Sequence, residues 1–409
     1  VLVAAALVSL LAMAALAIDV VTLYVARNEI QRAADAAALA GAKGIADSGI
    51  TTLQTTDSNY AAAETLAQSM ASAAIDAVRL TNLVAGQIPT LDNIPTPVYT
   101  NPNNPYITVT LKQANLPTFF ARIWGAGTST VIASATAEVY NPSNTSPYTP
   151  ITPTSVKPWL VANQDPVHPG SVFITLATGQ VEAGVVGESF DLFADCNTSQ
   201  PGCTTLHKFG TNTSGGLDYV PALVAANTAN VCPSSCVGST DFERSIACAD
   251  ANPYACGGLT PNASWDSTLN PVAPGTEYSA NATECLLHIT GSGSGQGQDS
   301  LAPISPGFIG PPQITGGVDS PAPTQLVSTS NSIVTIPIID DQTFSQSSAP
   351  VTIVGYMQAF VNWVEANNNI NITILNISGC SQTPNSNAPV VGGSGTSPLP
   401  VRLITPPSS

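Results

Sequence analysis

The sequence predicts an α+β protein: a long N-terminal apolar α-helix, a small α+β module, then disulfide-stapled, mainly antiparallel β lobes. Three observations carry that expectation. Residues 1–18 bear no charged side chain. None of the 34 prolines precedes Pro89 and none of the 8 cysteines precedes Cys196, so an Ala-rich start gives way to a chain punctuated as strands and loops. Apolar and polar residues alternate at 107–111 and 131–139, the period of a half-buried strand.

At 1.5 Å per residue, the apolar run at 1–18 makes a rod of roughly 27 Å, close to the thickness of a bilayer's hydrocarbon. Leu2, Leu7, Leu10, Leu11, Leu16 and Ile18 give it bulk. Asp19 interrupts, the apolar pattern resumes through Leu23 and Tyr24 to Arg27, and helix formers then continue without a proline. One helix over 1–46 is predicted, roughly 69 Å long. Its first two-fifths are apolar all round and the rest is amphipathic. Ala33, Ala37 and Gly41, with Ala36, Ala40 and Gly44, form rows of small residues at i, i+4. Such rows let helices approach closely. A buried Asp19 needs a partner, for which a neighbouring copy's Arg27 or free α-amine are candidates, because an unpaired buried carboxylate is costly.

Three readings compete for residues 1–18. A cleavable signal peptide would end at Ala15-Leu16-Ala17, a small-residue site of the expected pattern, but the apolar run continues past it. A plain membrane anchor is the second reading. The third, preferred, is a processed pilin-type helix, held in membrane before assembly and packed against its copies afterwards.

Charge removes several functions. Only 9% of residues are charged, against a usual share of about 25%. The net charge of −16 argues against nucleic acid as a partner and against docking on anionic lipid through a basic patch. An apolar share of 44% can bury a core. Cys196, Cys203, Cys232, Cys236, Cys248, Cys256, Cys285 and Cys380 are even in number and imply disulfides in an oxidising compartment, with connectivity open. Metal binding through Cys203 with His207, or Cys285 with His288, lacks a four-ligand pattern.

Along the chain, residues 1–46 read as an assembly or membrane helix and 47–140 as an α+β module containing a second helix at 58–80. A Pro-rich linker spans 141–158, a Cys-rich β domain 159–290, a Gly/Pro-rich linker 291–331, and a C-terminal β lobe 332–409. No catalytic motif is found. The glycine run at 291–297 lacks the Lys of a phosphate loop, and neither G-x-S-x-G nor S-x-x-K occurs. Asp340-Asp341 reads as a solvated turn rather than a cation site. His168 reads as a structural residue of a proline loop. Trp159, Trp265 and Trp363 could form a sugar platform, but core packing is the simpler role. Sequons at Asn144, Asn197, Asn212, Asn262, Asn281, Asn371 and Asn376 are candidate glycosylation sites.

From Asp19, the string DVVTLYVARNEIQRAADAAALAGA resembles the N-terminal signature of Tad (tight-adherence) pilus-assembly proteins of the TadE/TadG-like kind. Asp19, Leu23, Tyr24, Arg27, Gln31 and the Ala-rich run from Ala33 to Ala42 carry the likeness. Residues 107–139 resemble the family too, and 332–379 more loosely, whereas 141–331 do not. The resemblance implies a bacterial secreted or envelope protein of a pilus system, without catalysis or cofactor. Its expected partners are copies of itself, the inner membrane before assembly, and pilus secretion machinery. One departure stands out. Type IV pilins and the smaller Tad pilins usually carry Glu at the fifth mature position, and residue 5 here is Ala. Either the mature start lies elsewhere, or Asp19 takes the buried-acid role, or the helix is not processed by the pilin route.

Overall fold

The structure is a computed structural model. It describes residues 2–47, 60–78, 80, 87–93, 95–98, 105–118, 120, 127–139, 150–151, 156–177, 180–182, 184–195, 209–210, 215–224, 240–248, 254–255, 263–269, 271, 278–287, 297–305, 312–327, 330–345, 350–379 and 401–405.

Helix α1 runs unbroken over Leu2–Asp47 and α2 over Tyr60–Ala77. The C-terminal half of α1 lies against α2 and an antiparallel sheet. In that sheet Thr90–Leu91, Tyr106–Pro117, Thr128–Val139 and Val401–Ile404 are neighbours in order, and Pro97–Val98 also pairs with Tyr106–Pro117. Alternation puts one side of each long strand inward. Ile107, Val109 and Leu111 are buried, as are Ala133, Ala135, Ala137 and Val139, facing Ile30, Ala34, Ala37, Ala38 and Ile45 of α1. Alanine on both surfaces lets helix and sheet approach closely.

The remainder is built around a closed barrel. Its strands, in order, are Leu217–Pro221, Trp159–Ala162, Ile333–Ile339, Ile353–Val364, Ile370–Gly379 and Ser189–Ala194. Two neighbouring pairs are parallel and the rest antiparallel. Two short helices, α3 (Asp241–Ala247) and α4 (Tyr278–Leu286), cover part of it and contribute Phe242, Ile246, Ala282 and Leu286 to its core. Helix α3 starts with a capping box between Thr240 and Glu243, which satisfies donors at its N-terminus.

Several expected boundaries change. The regions 159–290 and 332–409 do not hold separate cores, because strands from both close the one barrel. The last strand leaves that lobe altogether: Val401–Ile404 completes the sheet beside α1, where Arg402 forms an ion pair with Glu138. The linker at 291–331 includes three short paired strands, Ser300–Leu301, Ile314–Thr315 and Leu326–Val327, with Ile314 packed on Phe360 and Leu375 of the barrel. The end of the proline-rich spacer is interior rather than extended in solvent. Val156 is buried, and the buried Lys157 donates from Nζ to the carbonyls of Ile246 at 2.6 Å and Cys248 at 3.1 Å, capping the C-terminal end of α3.

Of the eight cysteines, only Cys248 and Cys285 are among the described residues. Both are disulfide-bonded, and neither is free. Cys196, Cys203, Cys232, Cys236, Cys256 and Cys380 lie outside the described residues, so these establish no pairing and no stapled framework.

Candidate functional site

The feature that most needs a function is the uncovered half of α1. Val3, Leu7, Leu10, Leu11, Met13, Leu16, Ile18, Val20, Val21, Tyr24 and Val25 are all exposed, with Val3 at 80% and Met13 at 70%. At 100° per residue these positions span roughly 220° of the helix surface, leaving only the side that carries Ala15, Asp19 and Ala26. Fully burying such a side chain is worth about 1.5–3 kcal/mol, so leaving the eleven, each partly covered already, in water costs on the order of 10 kcal/mol. The helix is long and apolar enough to cross a membrane.

One narrow stripe is covered. Ala15, Asp19 and Ala26 are buried, and this line continues through Ile30, Ala33 and Ala37 into the module core. Asp19 is 3% exposed, and its Oδ2 accepts the backbone N–H of Phe120 at 3.0 Å. The expected partner was a neighbouring copy's Arg27 or α-amine; the structure supplies one from the same chain. A backbone donor answers a buried carboxylate without introducing a second charge. Thr22 donates to the Asp19 carbonyl at 2.9 Å.

The remaining helix residues divide clearly. Leu7, Leu10, Leu11, Leu16, Ile18, Tyr24 and Arg27 are exposed, and Leu23 is half-buried; Leu2 is helical, with its side chain outside the described set. Ala33, Ala37 and Gly41 are buried within the chain. A Cβ on Gly41 would lie 3.0 Å from Ile107 Cδ1, and one on Gly44 would lie 2.8 Å from Ala67 Cα. These small residues therefore serve the seam between α1, α2 and the sheet. The C-terminal end of α1 is tied to the barrel, where buried Asn376 donates from Nδ2 to the carbonyl of Ala46.

That bond bears on the sequons. Asn376 is buried with its amide in use, leaving no room for a glycan in this fold, while Asn371 donates to Asp191 at 2.6 Å. Asn281 is exposed on α4, and Asn144, Asn197, Asn212 and Asn262 lie outside the described residues. Trp159 and Trp265 are buried and Trp363 is half-buried, an arrangement of core residues rather than a platform. Asp340 accepts from Gln342 N and Thr343 Oγ1, both at 3.0 Å, and so closes a turn.

His168, read as a structural loop residue, sits between two carboxylates. Its Nδ1 lies 2.9 Å from Asp165 Oδ2 and 3.0 Å from Glu188 Oε1. Burial, followed by the charge of Asp165, pushes the Glu188 carboxyl up to about 7. The hydrogen bond and charge of Asp165 push the imidazole up, with Glu188 adding to this. No signal in the sequence joined Glu188 to the His168 loop.

A helix of this length and apolarity fits a membrane-anchored protein carrying a folded module and barrel. More particularly, residues 1–44 match the Tad family model, described as Flp pilus-assembly TadE/G-like. The helix and that match together indicate a pilus-associated, membrane-anchored protein. No curated protein and no solved structure matches the chain.

Proposed function

We propose that the chain is a structural subunit of an extracellular pilus-like filament, polymerising through α1. The band of exposed apolar residues from Val3 to Val25 carries this reading, because water cannot solvate it and only lipid or identical helices can cover it. In this scheme the inner membrane holds α1 before assembly, the pilus secretion machinery delivers the subunit, and the barrel faces solvent. The role is mechanical and calls for neither catalysis nor a cofactor. Four disulfides among the eight cysteines would harden the outer lobe for an oxidising exterior.

A second reading has its own support. Asp19 is partnered inside its own chain, and the row at Ala33, Ala37 and Gly41 lies within the module, so neither demands a second copy. On that basis the protein would remain a membrane-anchored accessory or adhesin. Negative-stain microscopy of sheared cell-surface material separates the two. Fibres labelled along their length by an antibody to the barrel are expected; single copies that need detergent would refute polymerisation and leave the anchored role.

A further inference from the structure

We propose that Asp165, His168 and Glu188 form a binding site for a divalent transition-metal cation, with Zn²⁺ the best fit, pinning the 165–171 loop to the barrel. The inference is independent of how α1 is used.

The three residues offer one imidazole nitrogen and two carboxylate oxygens, all within 4.8 Å of one another. Ligands about 2.1 Å from a tetrahedral Zn²⁺ lie about 3.4 Å apart, so the separations of 2.9 and 3.0 Å from His168 Nδ1 need open only by a few tenths of an ångström. Asp165 is already oriented. Its Oδ1 accepts the backbone N–H groups of Val167 at 2.8 Å and His168 at 3.0 Å, which turns Oδ2 towards the imidazole. The loop is closed by Asp165 N donating to Ser171 O at 3.1 Å and Ser171 N donating to His168 O at 3.0 Å. Glu188 is held from the barrel side, its carbonyl accepting from Ile374 N at 2.8 Å, just after Gly187 turns the chain with φ +91°.

The Glu188 side chain is 0% exposed, and neither carboxylate oxygen has a well-aligned hydrogen-bond donor among the described residues, Oε1 lying only in ion-pair range of His168 Nδ1. A single proton on His168 Nδ1 serves one acceptor, and Asp165 Oδ2 has it. Glu188 Oε1 sits equally close to that nitrogen but without a hydrogen bond of its own. A buried carboxylate aimed at a shared nitrogen and left without a donor is costly, and a cation at the centre of the three groups would give all of them a bond. The site is reachable, because the His168 side chain is 59% exposed. Calcium and magnesium favour all-oxygen sets, whereas a mixed imidazole and carboxylate set suits zinc, with manganese next.

The test uses the full chain in detergent, stripped with a chelator, dialysed and titrated with Zn²⁺ by calorimetry, with bound metal counted by mass spectrometry. About one Zn²⁺ per chain is expected. Loss of an outer-shell partner already weakens metal sites about 10–100-fold, so His168→Ala and Glu188→Gln should each weaken binding about tenfold or more. His168→Ala alters a mostly exposed side chain and leaves the fold intact, which keeps the test valid if Glu188→Gln misfolds. A double variant, His207→Ala with His288→Ala, should retain wild-type affinity. Zinc uptake no greater than that of His168→Ala, or lost in the double variant, overturns the proposal.

Discussion

Replacing Gly44 by alanine is expected to loosen the seam between α1 and α2, while the same change at Gly41 is nearly neutral. Both glycines lie inside a helix, where alanine is favoured by about 1 kcal/mol. The surroundings then decide the sign. At Gly41 the new methyl meets side-chain atoms, Ile107 Cδ1 at 3.0 Å, Ile107 Cγ2 at 3.2 Å and Ala71 Cβ at 3.3 Å, and Ile107 can yield by a small rotation. At Gly44 it meets backbone, Ala67 Cα at 2.8 Å, Ala67 N at 3.1 Å and Leu66 O at 3.2 Å, so α2 itself has to move. Overpacking against a fixed neighbour costs up to about 3 kcal/mol, which leaves a net loss of about 2 kcal/mol after the propensity gain. Amide hydrogen exchange along α2 reads this locally, where a global midpoint in a chain of several lobes would not. Exchange of the α2 amides should quicken about 30-fold in Gly44→Ala and stay within about threefold of wild type in Gly41→Ala. Equal behaviour of the two variants would refute the seam. So would unchanged exchange in Gly44→Ala combined with lost filaments, which would mean that this face meets another subunit.

The remaining expectations address the helix and its two ties. Asp19→Leu leaves the Phe120 N–H without its carboxylate acceptor, at a cost of about 1–3 kcal/mol, and should lower filament yield more than expression. Asp19→Asn keeps an acceptor oxygen and should be milder, so normal filament yield from Asp19→Leu would count against the role given to this residue. Leu10→Arg places a charge in the exposed apolar band, worth about 3 kcal/mol against insertion, and should release protein from membranes on carbonate extraction without changing the thermal unfolding of the barrel. Asn376→Ala removes the donor to the Ala46 carbonyl, and should increase protease cleavage at the end of α1. Peptide mass spectrometry should find Asn376 without a glycan even if Asn281 carries one.

What could be read from the sequence is what local physics controls. Proline-free, Ala-rich chain specified α1 almost to the residue, with 1–46 expected and Leu2–Asp47 found. Tyr60–Ala77 falls inside the expected 58–80, and the alternation at 107–111 and 131–139 falls inside the long strands Tyr106–Pro117 and Thr128–Val139. The distant pairings were not legible. Trp159–Ala162 runs parallel to Ile338 and Ile339, and Val401 pairs with Val139, yet nothing in a strand's own pattern names a partner some 180 or 260 residues away. The same holds for the metal candidate. Asp165 and His168 share a loop, but Glu188 arrives through barrel closure. Asp19 is legible in the sequence as a buried acid, but its donor, Phe120 N–H, is a backbone group and leaves no trace in residue type.

The two readings of α1 differ in what must drive assembly. Lipid tails cover apolar side chains as well as neighbouring helices do, so moving α1 from bilayer to filament gains little hydrophobic free energy. The band from Val3 to Val25 therefore accounts for retention in membrane, but does not by itself account for polymerisation. Close helix packing usually supplies the difference through small residues, and here the rows at Ala33, Ala37 and Gly41 already face α2 and the sheet. A filament polymerising through α1 therefore gains from contacts of the module and barrel as well, which add to helix packing the free energy that leaving the bilayer does not supply. Asp19 fits such a division. Buried against Phe120 with its hydrogen bond formed inside the chain, it can travel with α1 without exposing an unpaired carboxylate at any stage. The hydrogen bond thus removes a barrier to extraction, while the decision between filament and solitary anchor passes to the outer surface.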